Sequence, residues 1–263
     1  LKTIIPGDLV LLYDKGDDRR YFYQIPPNLV PNFKYNTTNG YLYVMEIVEK
    51  GYQSILTSSK GVEYAVLKPS MYEYILYGMK RHTQIIYPKD SAFIAFRMGI
   101  RQGARIAEIG TGSGSMTLVL SQFVGKSGHI STYEARPEFV ELSRKNVLLF
   151  DRSLCERIVF KNRDVIAEGI DERELDNIFI DIREPQEVLP LVHSALAYGG
   201  SAGMVVATVN QLSMIIDAMN ASGFREPEIT ELLIRDYKFV SERLRPKDSM
   251  VGHTAYIATA KKL

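Results

Sequence analysis

From about residue 88 the chain alternates short apolar runs with amphipathic stretches, and this alternation restricts the fold more than any other feature. Arg105–Ile109, His129–Tyr133, Ile158–Lys161, Asn177–Ile180 and Ala202–Val209 read as strands. Asn177–Ile180 is almost purely apolar, as strands covered on both faces are. Between them, Gly114–Val124, Pro137–Leu149, Gln186–Ala197 and Gln211–Ala221 have helical spacing, with Pro137 in a first turn and Gly223 beyond a last one. Asp90 is expected to cap a helix running to Met98. Regular strand–helix alternation predicts an α/β protein with a mostly parallel, doubly wound sheet. Glu231–Phe239 and Thr254–Ala260 are two further strand candidates near the end.

The first 70 or so residues have a different texture. Asp8–Tyr13, Arg20–Ile25, Gly40–Val48, Ser54–Ser58 and Glu63–Leu67 are short, rich in β-branched and aromatic residues, and bounded by Gly, Asn, Pro and Asp. They predict a small β domain over residues 1–69, with the main domain over 70–263. Ser70 is expected to cap a short helix through Tyr77.

Composition narrows the function class. Net charge is +1, from 32 basic and 31 acidic residues, so the chain is not a globally basic nucleic-acid binder. Local basic excess occurs at Lys80-Arg81-His82 and along 236–263, leaving Lys80, Arg81, Arg243, Arg245 and Lys247 as candidate contacts for a nucleic acid. A single cysteine, Cys155, fits a reducing compartment, and a cytoplasmic location is expected. No apolar run approaches the length of a membrane span, and no signal-peptide pattern follows Leu1-Lys2-Thr3.

Open α/β sheets bind ligands beyond the carboxyl ends of their strands. The first strand of the main domain leads into Glu108-Ile109-Gly110-Thr111-Gly112-Ser113-Gly114-Ser115, where glycines allow close approach of a ligand to the backbone. Glu134 ends the second strand and is placed to accept ribose hydroxyls. Asp164 follows the third and suits an amine donor such as adenine N6, and Asp181 follows the fourth. One acid at each successive strand end points to a nucleoside cofactor. A dinucleotide is disfavoured: Ser115 stands at the last fingerprint position, and Glu108 would repel a pyrophosphate. S-adenosylmethionine, with a sulfonium, an ammonium and no phosphate, suits this acidic loop. No metal is expected.

Further segments carry a more specific signal. They are Leu67-Lys68-Pro69, Gln84-Ile85-Ile86-Tyr87-Pro88-Lys89-Asp90, Tyr133-Glu134-Ala135-Arg136 and Asp181 with Glu184-Pro185. Ala207-Thr208-Val209-Asn210-Gln211-Leu212 and Arg245-Pro246 followed by Met250-Val251-Gly252-His253-Thr254-Ala255 complete them. With these the chain resembles, over nearly its whole length, the tRNA (adenine-N1)-methyltransferases that modify position 58 of the T-loop. The resemblance implies a class I, Rossmann-like methyltransferase domain with a seven-stranded sheet, a small N-terminal β domain, and a homotetramer acting on tRNA. It implies that Glu108, Gly110 to Ser115, Glu134, Asp164 and Asp181 bind S-adenosylmethionine, with Asp181 also catalytic. Tyr87, Arg245 and His253 are expected at the substrate. The family's aromatic residue after the fourth strand is replaced here by Gln186.

Adenine N1 is itself a nucleophile, so alignment with the methyl donor is the main requirement and His253 is not needed as a base. Two alternatives remain: a carboxyl methyltransferase of the isoaspartyl-repair type, and an RNA-binding partner subunit without catalysis. Position 57 is a possible second target.

Overall fold

The computed structural model describes residues 3–263; Leu1-Lys2, where a leader was sought, lies outside the described residues. The chain divides into two compact units, one reaching to Lys80 and including Lys145–Ser153, the other spanning Arg81–Arg144 and Leu154–Leu263.

The first unit is built on β1 (Leu9–Asp14), β2 (Arg20–Gln24), β3 (Lys34–Thr37), β4 (Gly40–Tyr43), β5 (Ser54–Thr57) and β6 (Glu63–Leu67). Four of these form an antiparallel sheet in the order β2-β1-β6-β5, while β3 and β4 make a separate hairpin. Val10, Leu12, Ile25, Leu42, Ile47, Leu56 and Val66 fill its core. The strand expected over Gly40–Val48 stops at Tyr43, and α1 (Val44–Lys50) replaces its second half. Val44 and Ile47, three apart, bury one helical stripe, and Glu46 pairs with Lys50 one turn later at 2.9 Å. Apolar residues there follow the helical period more closely than the strand period. Ser70 caps α2 (Met71–Glu73) in a reciprocal capping box with Glu73, and a π-helical turn, Tyr74–Gly78, continues it. Tyr74 is fully buried, donates to the Asn146 carbonyl at 3.0 Å and stacks on Phe150.

The second unit contains α3 (Pro88–Arg97), β7 (Arg105–Ile109), α4 (Ser115–Val124), β8 (His129–Glu134) and α5 (Pro137–Phe150, counted with the first unit from Lys145 on). β9 (Ile158–Asn162), α6 (Val165–Glu168), β10 (Leu175–Ile180), α7 (Leu189–Ala195), β11 (Leu196–Val206), α8 (Val209–Ala221), β12 (Arg225–Thr230) and β13 (Tyr256–Lys261) follow. The seven strands lie in the order β12-β13-β11-β10-β7-β8-β9. β11, β10, β7, β8 and β9 pair in parallel, and β13 alone runs against its neighbours. This is the expected Rossmann-like class I methyltransferase sheet.

Three local expectations in this unit needed correction. Asp90 does not cap α3: Tyr87 holds the cap position, Pro88 opens the helix, and Asp90 is buried in its first turn. Pro88 presets the helical φ, so the helix starts three residues earlier than a cap at Asp90 would place it. The helix expected over Gln186–Ala197 is a short 3-10 turn, Pro185–Glu187, followed by α7, and β11 already begins at Leu196 opposite Leu175. Glu231–Phe239 is not a strand. The last-but-one strand is instead Arg225–Thr230, whose exposed residues concealed it, because as an edge strand it needs only its pairing with β13. Residues 231–255 form an excursion with one short turn, Ser241–Arg243, and one isolated bridge between Tyr237 and Pro246.

The core of this unit centres on β10, where Ile178, Phe179 and Ile180 are all fully buried. Phe179→Ala should lower unfolding free energy by about 3–5 kcal/mol, measured by urea unfolding. A loss near ~1 kcal/mol would show that the sheet core collapses around the deletion.

Candidate functional site

The carboxyl ends of the parallel strands open onto a cavity of about 550 Å³. Gly110, Glu134, Asp164 and Asp181, one from each of four strand ends, line it together with Tyr87. A smaller adjoining cavity of about 230 Å³ is lined by Thr111, Gly112, Ser113 and Ser115, and shares Gly110, Glu134 and Asp181 with the first. The two together span the glycine loop and the strand-end acids.

The loop's backbone is pinned on both sides. Gly110 N donates to the Tyr133 carbonyl at 2.8 Å, and Asp181 N donates to the Ile109 carbonyl at 2.8 Å. Gly110 has φ +95°, and a Cβ there would lie 2.0 Å from the Asp181 carbonyl oxygen. Only glycine fits, because two backbones meet where any side chain would stand. Gly112, at φ +52°, turns its N–H onto Glu134 Oε2 at 3.0 Å. Gly114 is the residue before α4, and Ser115 Oγ reaches the Ile86 carbonyl at 3.3 Å.

Each acid has a distinct setting. Glu134 is buried; its Oε1 accepts from Arg136 N at 3.1 Å and Arg136 Nε at 3.2 Å, while Oε2 takes Gly112 N. A carboxylate offers about four acceptor positions, so capacity for a ribose hydroxyl remains. Asp164 caps α6, with Oδ1 accepting from Ile166 N at 3.0 Å, and stays exposed on the cavity rim. Asp181 keeps solvent access through the cavity. The surrounding protein, and then the charge of Glu134, still push its carboxyl up to about 6.

Glu108 does not line either cavity. It is fully buried beneath the loop, where Thr117 Oγ1 and Thr132 Oγ1 donate to Oε2 at 2.6 and 2.7 Å. Thr111 Oγ1 lies 2.6 Å from Thr132 Oγ1, which links the carboxyl to the loop. Oε1 is buried with no hydrogen-bond partner among the described residues. Burial outweighs the two threonine bonds and raises this carboxyl to about 8, with Asp181 and Glu134 adding repulsion. Glu108 is thus mostly protonated at neutral pH.

Tyr87, at the cap of α3, reaches the cavity. His253 and Arg245 are not among its lining residues. His253 Nδ1 lies 2.6 Å from Glu231 Oε1 and Nε2 lies 3.1 Å from the Ala207 carbonyl. Two acceptors require two N–H donors, and Glu231 followed by the Ala207 carbonyl raises the imidazole's pKa. Arg245 is exposed and pairs with Asp248, while Lys247 pairs with Asp236 at 3.1 Å. Gln186 is absent from the lining, where Arg183 and Glu184 stand instead. Asp90, expected only as a helix cap, and Thr254 also line the cavity. Both lie in segments that carried the resemblance, which was the available signal.

Two features show that the site fits S-adenosylmethionine. The backbone-to-backbone contact at Gly110 leaves a cradle without side chains, and the acids around it suit a cationic nucleoside without phosphate. Among the described residues no group of three His, Cys, Asp or Glu could hold a metal ion, and no helix is long and apolar enough to cross a membrane.

The raised pKa of Glu108 has a consequence for stability. The folded state binds its proton more tightly than the unfolded chain, whose glutamate titrates near 4.5. Its contribution is complete below that value and is lost as pH rises to about 8. Thermal unfolding of Glu108→Gln from pH 5 to 9 should therefore be flatter than that of the parent chain. Parallel profiles would show that Glu108 is ionised in the folded state.

The family model described as "tRNA methyltransferase complex GCD14 subunit" matches residues 66–262. The chain is 32% identical over 270 residues to the tRNA (adenine(57)-N(1)/adenine(58)-N(1))-methyltransferase TrmI of Methanocaldococcus jannaschii, covering 93% of each. A solved structure described as the tRNA (m1A58) methyltransferase TrmI from Aquifex aeolicus aligns with TM-score 0.82 at 32% identity, covering 99% of both chains. Another, described as a SAM-dependent O-methyltransferase from Thermotoga maritima, aligns with TM-score 0.91 at 39% identity, covering 100% of this chain and 95% of that one. Because that family model spans well over half of the chain, the chain belongs to the GCD14 family of tRNA methyltransferase subunits.

Proposed function

We propose that this protein transfers a methyl group from S-adenosylmethionine to N1 of the adenosine at position 58 of tRNA. The observation that carries the reading is the convergence of Asp181, Tyr87 and Glu134 on one cavity at the strand ends. The names of the M. jannaschii and A. aeolicus relatives support the substrate.

Bound S-adenosylmethionine supplies an electrophilic methyl group on a sulfonium. The loop Gly110, Thr111, Gly112, Ser113, Gly114 and Ser115 would hold the cofactor, with all of it but Gly114 lining the smaller cavity and Glu108 supporting it from below through Thr132 and Thr111. Glu134 takes the ribose hydroxyls, and Asp164 the adenine amine. Tyr87 stacks on or hydrogen-bonds the target base, which must leave its pairing in the RNA to expose N1. Asp181 accepts a hydrogen bond from the target's N6 amine and stabilises the positive charge that develops on the ring. It does so as a carboxylate, so its elevated pKa of about 6 makes transfer fall as pH drops through that value.

Two further parts of the reading concern assembly and location. Leu233, Ile234, Tyr237, Phe239, Leu244 and Val251 are exposed on the 231–255 excursion, and this supports burial between subunits of a homotetramer. A monomer mass by light scattering would discard that assembly. A tRNA substrate and the lone Cys155 support a cytoplasmic location.

Transfer to an oxygen is the second reading, favoured by the description of the T. maritima relative. Labelled methyl transfer onto tRNA, followed by nucleoside analysis, separates them: N1-methyladenosine supports the proposal, and labelled protein supports the rival. Asp181→Ala should retain cofactor binding while losing about 10²–10³-fold in turnover on tRNA. Near-normal turnover would remove Asp181 from the chemistry.

A further inference from the structure

Lys89 follows Tyr87 and Pro88 in the first turn of α3, and only 15% of its side chain is exposed. Its Nζ donates to Asp90 Oδ1 at 2.7 Å, to the Leu232 carbonyl at 2.8 Å and to Thr254 Oγ1 at 2.7 Å. An ammonium has three donors and no acceptor, so these three partners saturate it. Asp90 is 1% exposed and lines the cavity; without the cation it would be a buried, uncompensated carboxylate.

The three contacts join places far apart in the chain. Tyr87 is held rigidly to Lys89, because its carbonyl accepts from Asp90 N at 2.9 Å and Ser91 N at 3.0 Å. Leu232 and Thr254 are the two roots of the 231–255 excursion, and Thr254 lines the cavity. The β12–β13 ladder ends at Thr230 and Ile257, and the excursion beyond carries an isolated bridge rather than a ladder, so side-chain ties hold Leu232 and Thr254 against the helix turn. His253 adds a tie of its own, from Glu231 to the Ala207 carbonyl.

We propose that Lys89 is a positioning residue that sets the target-base side of the cavity by locking Thr254, across the fold, to the helix turn that carries Tyr87. The inference rests on the reading that adenine is methylated in this cavity. Lys89 touches neither the cofactor nor the base; it fixes the separation of the groups that do. Its loss leaves the glycine loop and Glu134 in place and lets the opposite wall drift. Cofactor binding is therefore spared, and alignment of the base is not.

The test measures thermal stability, S-adenosylmethionine affinity by calorimetry, and kcat and KM on tRNA for Lys89→Met, Thr254→Val, the double variant and Lys89→Arg. Lys89→Met should bind the cofactor within about twofold of the parent and lose about 10²-fold in kcat/KM on tRNA, as displacement of a reacting group by about 1 Å does. Thr254→Val removes one acceptor with little risk to folding; it should show the same split to a smaller degree and add little to the Lys89→Met loss. Lys89→Arg should regain stability by pairing with Asp90 but not turnover, because a planar fork cannot place three donors around one nitrogen. Turnover within twofold of the parent in Lys89→Met, equal losses in cofactor and tRNA parameters, or full turnover in Lys89→Arg would each overturn the proposal. Absence of transfer by the parent chain itself would instead overturn the proposed function.

Discussion

The contact between Gly110 and the Asp181 carbonyl is the constraint on which the site depends. β7 and β10 are neighbours in the sheet, and their carboxyl ends are drawn together by the Asp181 N–H bond to Ile109. A Cβ at Gly110 would lie 2.0 Å from the Asp181 oxygen, so the approach exists only because residue 110 has no side chain. That one approach places the glycine loop and the candidate catalytic carboxylate against a common space. It also explains why the loop follows β7, the middle one of the five parallel strands: there, neighbours on both sides can pin it, with Tyr133 accepting from Gly110 on the other flank.

Crowding of carboxyl groups is the cost of this geometry. Glu108, Glu134 and Asp181 repel one another, and each is accommodated differently. Glu134 is covered by backbone and guanidinium donors. Glu108, with no cation and one oxygen unpaired, holds a proton instead. Asp181 reaches solvent and sits between those cases. A cofactor bearing positive charge and no phosphate relieves this repulsion, whereas a pyrophosphate would add to it. The same electrostatics thus suit a cationic cofactor and tune the carboxyl of Asp181.

Much of the fold was legible in the chain because alternating buried strands and amphipathic helices leave strong periodicities. The glycine loop, Glu134, Asp164 and Asp181 could be placed from strand ends alone, and all four places line the cavities. Failures fell where periodicity is weak or shared. Val44 to Lys50 has β-branched residues at helical spacing. Arg225–Thr230 is an exposed edge strand with no apolar pattern. The 231–255 excursion takes its course from ties such as Lys89 to Thr254 rather than from a ladder.

The sequence by itself determined the layered α/β architecture, the position of the glycine loop and the acids that follow each strand, because these depend on local period and on residue type. Glu108 shows the limit: it was read as a loop-side anion that binds cofactor directly, yet it lies under the loop as a neutral acid. Only tertiary structure decided that, since protonation depends on how completely the surrounding side chains exclude water. Only tertiary structure, likewise, brought Lys89 to Thr254 and turned His253 onto Glu231 and Ala207. Those contacts join residues remote in the chain, and no local pattern encodes the distance between them.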